Sequence, residues 1–401
     1  MDQLKIADRV AIVGIGETEY TRWGRAAKSE FGLACEAILK AVADAGLTID
    51  QVDGFAGYSA DRNDPIAIAA ALGIPQVRYA SMVWGGGGGG SAAAVGNAAA
   101  GIVAGYANYV VAFRALAQGQ FGRFGQAGGY SGKGRTAGER IPGGAFTYSS
   151  MHGPFSYPFG LMTPAQHLAM YMRRHMHLYG TTSRQMGAVA VAARKHAQYN
   201  TRAVMYGRPM TIEDHQNSRL IADPFRLLDC CLETDGAAAV VLTSAERARD
   251  LPQRPVYLMG AAQGGPQFGA HNQEHYASGN FREVARDLWA QCGIQPKDVD
   301  VAQIYDHFTG HVITSLEDHG FCGLGEGGAF VEGGRIEIGG ELPINTSGGN
   351  LSEAYVHGFG LAVEGVRQLR GTSTCQVPDA EICLVAGGAA SAPVSSFVIR
   401  R

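Results

Sequence analysis

The chain predicts an α/β protein made of two similar halves, each a βαβ-type unit with its own open sheet and helices on the sheet's faces. Three observations predict it. Apolar strand-like runs, Arg9-Val-Ala-Ile-Val-Gly-Ile-Gly and Arg254-Pro-Val-Tyr-Leu-Met-Gly-Ala-Ala, open both halves. A helix-period segment follows each. Glu30 to Ala45 carries Phe31, Ala34, Ala37, Ile38, Ala41 and Val42 on one face, and Phe281 to Gln291 carries Val284, Ala285, Leu288 and Trp289. Each segment then stops at a glycine, Gly46 or Gly293, followed by an apolar residue, Leu47 or Ile294. Val-Asp lies six residues past each glycine (Val52-Asp53, Val299-Asp300), and a strand comes next. The two copies sit about 245 residues apart, the mark of an internal duplication.

The first strand ends in Gly14-Ile-Gly16. The third glycine of a dinucleotide fingerprint falls at Glu19, and no helix opens there, so this is read as a plain strand end. The stretch that organises the first half is Ser81 to Gly105. Six consecutive glycines, 85–90, lead into Ser91 and then a run of Ala, Gly, Val and Ile without charge. Ser91 is the expected N-cap. A helix so thin and apolar is buried on all sides. The glycines let a ligand approach the main chain, and the free N–H groups at the helix start favour negative charge. The loop itself offers no reactive side chain.

Residues 118–164 are rich in Gly, Ser and Tyr without periodicity, too long for a bare connector, and read as a lid, a partner surface or a dimer arm. Ala165 to Asn200 reads as helical, with Arg173, Arg174, His175, His177 and His196 forming either a solvated face or a contact for an anionic cofactor tail. Its histidines lack metal-site spacing, so no metal is expected. Asp235-Gly-Ala-Ala-Ala-Val-Val-Leu-Thr and Glu381-Ile-Cys-Leu-Val-Ala-Gly-Gly close the two halves as buried strands.

Composition narrows the function classes. Of 401 residues, 46% are hydrophobic and 17% charged, enough apolar material for a large core. A net charge of −3 gives no case for nucleic acid or an anionic membrane. The seven cysteines lack framework spacing, and adjacent Cys230 and Cys231 read as free thiols of a reducing, cytoplasmic location. Neither a signal peptide nor a membrane span is expected.

Several segments together resemble the thiolase superfamily, nearest its sterol-carrier-protein-type branch, across essentially the whole chain. They are Val10-Ala-Ile-Val-Gly-Ile-Gly, Ala165-Gln-His through Tyr179-Gly-Thr-Thr, Ala193-Arg-Lys-His-Ala, Asp235-Gly-Ala-Ala-Ala and Asn345-Thr-Ser-Gly-Gly-Asn. The resemblance implies a five-layered αβαβα thiolase fold, a homodimer and an acyl-coenzyme A substrate. It divides the chain into an N-terminal half (1–117 and 201–250), an inserted loop or lid region (118–200) and a C-terminal half (251–401).

The departures from the family carry the functional reading. The family's nucleophilic Cys position falls near Gly88, so nothing in the glycine loop can be acylated. The family's Asn-Glu-Ala-Phe element aligns with Tyr305-Asp306-His307-Phe308, and its later Gly-His-Pro histidine aligns with Tyr355. Leu384 takes the position of the C-terminal Cys, and Cys383 lies one residue off, on the opposite strand face. Sulfur is lost and two phenols arrive.

That pattern resembles the thiolase-like aldolases that shorten steroid side chains. It implies a retro-aldol cleavage of a β-hydroxyacyl-coenzyme A to a ketone and acetyl- or propionyl-coenzyme A. Such a step needs a base, an acid and enolate stabilisation, and no nucleophile. Tyr305 and Tyr355 supply acid and base, tuned by Asp306, His307 and His357. Backbone N–H groups around Gly87, Gly88 and Gly89 bind the enolate oxygen, worth about 3 kcal/mol per donor. Gly348 and Gly349 are either substrate contacts or a tight turn, and Glu353 is read as a loop charge facing solvent. No bound cofactor is implied beyond the coenzyme A of the substrate. A small partner with an OB-fold and a zinc ribbon is implied, completing a heterotetramer. Two other readings stay open: a thiolase-like acyltransferase using another residue, and a non-catalytic lipid-carrier or scaffold subunit.

Overall fold

The first strand serves two cores at once. β1 (Val10–Glu17) turns Val10 and Ile12 into a central cluster and Ala11 and Val13 into an outer one, as its period-2 alternation requires. α1 (Glu30–Asp44) begins at Ser29, whose hydroxyl accepts from the Gly32 N–H, and lays Leu33, Ala34, Ala37, Ile38 and Ala41 on the outer face. Gly14 and Gly16 allow that closeness. A Cβ on either would fall 2.1 or 2.2 Å from an α1 carbonyl oxygen. The Gly-x-Gly therefore serves helix packing, in line with a plain strand end.

The computed structural model describes residues 6–59, 61–84, 87–121, 157–265 and 276–401. Gly85, Gly86 and most of the 118–164 segment lie outside the described residues, and so do the lid and partner-surface readings placed there.

The first half continues through β2 (Gly54–Tyr58), α2 (Pro65–Leu72), β3 (Tyr79–Val83), α3 (Gly89–Val103) and β4 (Tyr109–Ala117). The Ala165–Asn200 stretch is two helices, α4 (Pro164–Tyr179) and α5 (Ser183–Ala197). Gly180, at φ 77°, ends the first, and a Thr182–Gln185 capping box starts the second. Then come β5 (Thr234–Ser244), β6 (Val256–Gly264), α6 (Arg282–Cys292), β7 (Val301–Ile304) and α7 (Thr309–His319). A short helix α8 (Gly349–Ser352), α9 (Phe359–Arg370), β8 (Ile382–Gly387) and β9 (Val394–Arg400) complete the chain. The duplication is visible in three dimensions. Both Gly46 and Gly293 sit in the left-handed region, and each leads through a 3-10 turn, Ile49–Gln51 or Pro296–Asp298, into a strand.

Two separate sheets were the expectation; among the described residues ten strands form one hydrogen-bonded sheet, beside a small two-stranded ribbon of Leu220–Ala222 with Phe225–Arg226. The order in the large sheet is β7-β8-β9-β6-β1-β5-β4-β2-β3, with Thr21–Arg22 pairing beside β5. The halves join where Ala11 and Ile12 pair with Tyr257 and Val256, a ladder of only two residues. Each half otherwise keeps its own helices. α3 and α9 lie in the central core, where Val240 and Leu242 of the first half meet Val385, Phe397 and Ile399 of the second. α1 and α2 cover the outer face of the first half, and α5, α6 and α7 cover the outer face of the second. The two parts of the sheet, joined only at that ladder, sandwich α3 and α9, so the layers run helix, sheet, helix, sheet, helix.

Two further expectations need correction. Ser91 is not the N-cap. Gly88 is, and Ser91 lies in the first turn, where its hydroxyl donates back to the Gly88 carbonyl at 2.7 Å. The basic helical segment is not a single solvated face. Arg173 and His177 are exposed, but His175 is buried against Glu317 and Thr181, and Arg194 bonds Ser352.

Among the described residues no helix is long and apolar enough to cross a membrane, and no cluster of His, Cys, Asp and Glu side chains is arranged to hold a metal ion.

Candidate active site

Tyr305 leaves the C-terminal end of β7, the end at which open α/β sheets place their ligands. Its backbone is tied on both sides. The Tyr305 N–H donates to the Ala386 carbonyl at 2.9 Å. The preceding residue, Ile304, is clasped by the Asn345 side chain, which donates to its carbonyl at 2.8 Å and accepts from its N–H at 2.7 Å. Asn345 has φ 52°, a region Asn tolerates better than most residues. Tyr355 follows the short α8, and Thr234 grips its backbone. The Thr234 hydroxyl donates to the Tyr355 carbonyl at 3.1 Å and accepts from its N–H at 2.8 Å. Two independent clamps, one from each half, bring the phenols together: Tyr305 Oη lies 2.9 Å from Tyr355 Oη, in the buried central core.

The glycine loop supplies the third wall. A Cβ on Gly88 would fall 2.0 Å from Tyr305 Cζ and 2.5 Å from its hydroxyl. A Cβ on Gly358, which sits at φ 76°, would fall 2.4 Å from Tyr305 Cδ2. Tyr305 therefore lies between two glycines and fills the space in which a side chain at position 88 would stand. The N-terminus of α3 starts at this ring, so the positive end of a 15-residue helix faces the phenol pair and favours negative charge there.

The other predicted residues divide. His307 is beside the pair, with ring centroids 4.8 Å from Tyr305, and it stacks on His311 at 5.2 Å. Burial first, and then His311, holds His307 well below the ordinary imidazole range, so it is neutral; among the described residues Nδ1 of His307 has no hydrogen-bond partner. His357 stands edge-on to Tyr355 at 5.3 Å. Asp306 turns elsewhere. Its oxygens accept from the N–H groups of Asn350 and Leu351 at 2.9 and 3.2 Å, bracing α8 onto the end of β7. Burial raises its pKa to about 6 against those bonds.

Gly87 has φ 62° and open space where a Cβ would stand, and Gly89 is packed against the Pro393 carbonyl. Gly348 and Gly349 face Ala197 and the Asp306 carboxylate, which favours the tight-turn reading. Glu353 was expected to face solvent. It is 3% exposed and accepts from Asn200 Nδ2 at 2.7 Å, and burial among the Glu17 and Glu364 charges raises its pKa to about 8.

Burial raises the pKa of two cysteines near this site. Cys383 and Leu384 face opposite cores, as a one-residue step in a strand requires. The Cys383 thiol is buried and its pKa is pushed well up by burial. Cys231, whose N–H donates to the His307 carbonyl at 2.9 Å, is likewise held in the thiol form by burial. A surface cavity of about 260 Å³ between α5 and residues 331–337 is lined by Arg184, Ala188, Ile212 and Glu337 and is remote from this chemistry.

Sequence reading missed Arg114, Asp61 and Tyr58. Arg114 is fully buried in β4, its Nη1 3.0 Å from Asp61 Oδ2 and its Nε 3.2 Å from His357 Nδ1. The signal was present: one arginine inside the apolar run Tyr109-Val-Val-Ala-Phe-Arg-Ala-Leu-Ala. A charge in a strand that reads as buried needs a buried partner.

With the geometry in hand, comparison with known proteins gives a consistent answer. Residues 266–399 match the thiolase C-terminal domain-like family model. The chain is 47% identical, over 98% of its length and 100% of the other's, to a 17-hydroxy-3-oxo-4-pregnene-20-carboxyl-CoA lyase of Mycobacterium tuberculosis. It is 43% identical, over 97% of both chains, to a steroid side-chain-cleaving aldolase of Thermomonospora curvata. The solved structure of an Ltp2-ChsH2(DUF35) aldolase superposes with a TM-score of 0.89 at 42% identity, covering 98% of each chain.

Proposed function

We propose that this chain, which belongs to the thiolase superfamily and there to the steroid side-chain-cleaving aldolases, is a carbon–carbon lyase whose cleaving groups are Tyr305 and Tyr355. The observation that carries the assignment of groups is the 2.9 Å contact between the two phenol oxygens at the start of α3.

The substrate class follows from the relatives. A 17-hydroxy steroid bearing a 20-carboxyl-CoA ester is a β-hydroxyacyl thioester with a tertiary alcohol. Its α-carbon also carries a methyl group, so the fragment released is propionyl-coenzyme A and the steroid is left as a 17-ketone. One phenol, as phenolate, takes the proton of the tertiary hydroxyl. The C17–C20 bond breaks, its electron pair moves into the thioester as an enolate, and a proton returned to C20 completes the acyl product. Atoms balance without water, free coenzyme A or an oxidant. A free phenol has a pKa near 10. Two features here favour the phenolate: the neighbouring phenol donates a charge-assisted hydrogen bond, and the positive end of α3 points at the ring. The enolate oxygen is taken by N–H groups of the glycine loop, at about 3 kcal/mol per donor.

Independence from cysteine is supported by the same geometry, because a side chain at position 88 and the Tyr305 ring exclude each other. That argues against the acyltransferase reading, and a fully clamped phenol pair argues against a mere carrier. Assembly is proposed on two grounds. Among the described residues β3 is a sheet edge, with Met82 40% and Trp84 62% exposed beside it, a surface suited to pairing with a second copy. The solved relative is an Ltp2-ChsH2(DUF35) aldolase, which supports a small OB-fold and zinc-ribbon subunit here as well.

The test is to supply the 17-hydroxy-20-carboxyl-CoA steroid to the chain co-expressed with such a partner, with no free coenzyme A. The 17-ketone and propionyl-coenzyme A are expected in equal amounts, with no acyl adduct in the intact mass of the chain. An adduct, or a requirement for free coenzyme A, supports the acyltransferase instead.

A further inference from the structure

We propose that Arg114 is a positioning residue that fixes His357 as the neutral tautomer protonated on Nε2, so that His357 serves the tyrosine pair as a hydrogen-bond donor and never as the base. A guanidinium has only N–H donors. Arg114 Nε and Nη2 both lie 3.2 Å from His357 Nδ1, so that nitrogen presents its lone pair and the single ring proton sits on Nε2. The same guanidinium is anchored from behind. Nη1 donates to Asp61 Oδ2 at 3.0 Å and to the Ala115 carbonyl at 2.7 Å, and Asp61 Oδ2 also accepts the Ala115 N–H at 3.1 Å. Arg114 is 0% exposed, and its central carbon lies 5.5 Å from the Tyr58 ring centroid. Four contacts thus hold the buried guanidinium in place, two on each side.

Protonation of His357 meets opposition from every side. It would turn an N–H against two N–H donors and place a second cation 3.2 Å from the first. Among the described residues, the groups facing the ring include Arg114 and Arg62, the neutral His307, and the phenols of Tyr58 and Tyr355. Arg62 is itself held by Glu30 at 2.6 and 3.0 Å, and Asp61 lies beyond Arg114, so these two carboxylates are engaged by guanidinium groups. Burial first, then Arg114, Arg62 and His307, hold His357 well below the ordinary imidazole range. His357 and Gly358 sit at φ 49° and 76°, a sharp turn of the chain at the imidazole. The consequence is a division of labour. The imidazole beside Tyr355 donates, and base chemistry is left to the phenols.

The role of His357 rests on the aldolase reading; its tautomer does not. The tautomer is read in the resting full-length chain by nitrogen-15 NMR of labelled histidines, with His357 identified by its loss in His357→Gln. Nδ1 is expected unprotonated and Nε2 protonated, with neither signal moving from about pH 5 to 8, where an ordinary imidazole titrates. A proton on Nδ1, or a His357 that titrates in that range, overturns the proposal. The role is read with the paired variant Asp61→Asn/Arg114→Gln, which removes both buried charges together and so strands neither. Its kcat/KM is expected to fall roughly 10–100-fold, as when a histidine loses its orienting partner, and to gain an acid limb that still lies below the ordinary imidazole range, because burial continues to oppose the charged ring. Adding His357→Gln abolishes that limb. A loss of equal size at every pH, additive with His357→Gln, overturns the positioning role. Absence of turnover in the unaltered chain counts against the aldolase reading alone.

Discussion

At the scale of single residues, the proposed site turns on a space that one residue leaves and another fills. Gly88 leaves room at the head of the central helix, and the Tyr305 ring enters it. Tyr305→Phe and Tyr355→Phe are each expected to lower kcat by about 10²- to 10⁴-fold, the range for an acid or base removed from its transition state. Thermal melting should move little, because both rings stay packed; a large drop in melting temperature would instead make the hydroxyls structural. Gly88→Cys is expected to lose aldolase activity without gaining an acyl adduct, because its Cβ displaces Tyr305; intact mass and product assays together check this. These positions were legible in the sequence because each sits in a motif with fixed offsets: Tyr305 before Asp-His-Phe, and Tyr355 ten residues after Asn345. Asp61 was not, since no local pattern marks a loop carboxylate for an arginine 53 residues away.

At the scale of elements, the account rests on two loops held from opposite halves of the chain. The Asn345 clasp fixes the end of β7, and Thr234 fixes the loop after α8. Thr234→Val keeps the shape and removes both bonds to Tyr355. It is expected to cost about 1–3 kcal/mol, the range for a buried polar group left unsatisfied, and to lower kcat by loosening the pair; denaturant melts and kinetics measure the two effects separately. Glu353 gives a pH prediction. Its pKa is raised from 4.5 to about 8, so between those values the folded chain binds a proton that the unfolded chain has released. Its stabilising contribution is complete below 4.5 and is lost as pH rises through about 8. Glu353→Gln should therefore gain stability relative to the natural chain as pH rises across that window, by at most about 1.4 kcal/mol per pH unit. Melting temperatures of both proteins across the window test the sign. The duplicated helix–glycine–strand units were readable because burial imposes a period on every residue of them. The position of Glu353 was not, because a single charge in a glycine-rich turn looks the same whether it meets water or Asn200.

At the scale of the molecule, the two halves meet through a two-residue ladder and a shared central core, and the candidate site lies on that seam. Sequence patterning anticipated the halves and the order of layers. It did not anticipate that the strands join into one sheet, since hydrogen bonding between Ala11 and Tyr257 leaves no trace in periodicity. The sheet edge at β3 leads to an expectation for assembly. Met82→Asp places a charge on that edge and should convert a dimer into a monomer, seen by light scattering after size exclusion; an unchanged dimer would place the interface elsewhere. The central claim is that a carbon–carbon bond is cut by moving protons between phenols. It is tested most directly by running the reaction in heavy water without free coenzyme A and weighing the acyl product. One solvent deuterium at the α-carbon of propionyl-coenzyme A is the expected result. An acyl product free of deuterium, or none until free coenzyme A is added, would contradict it.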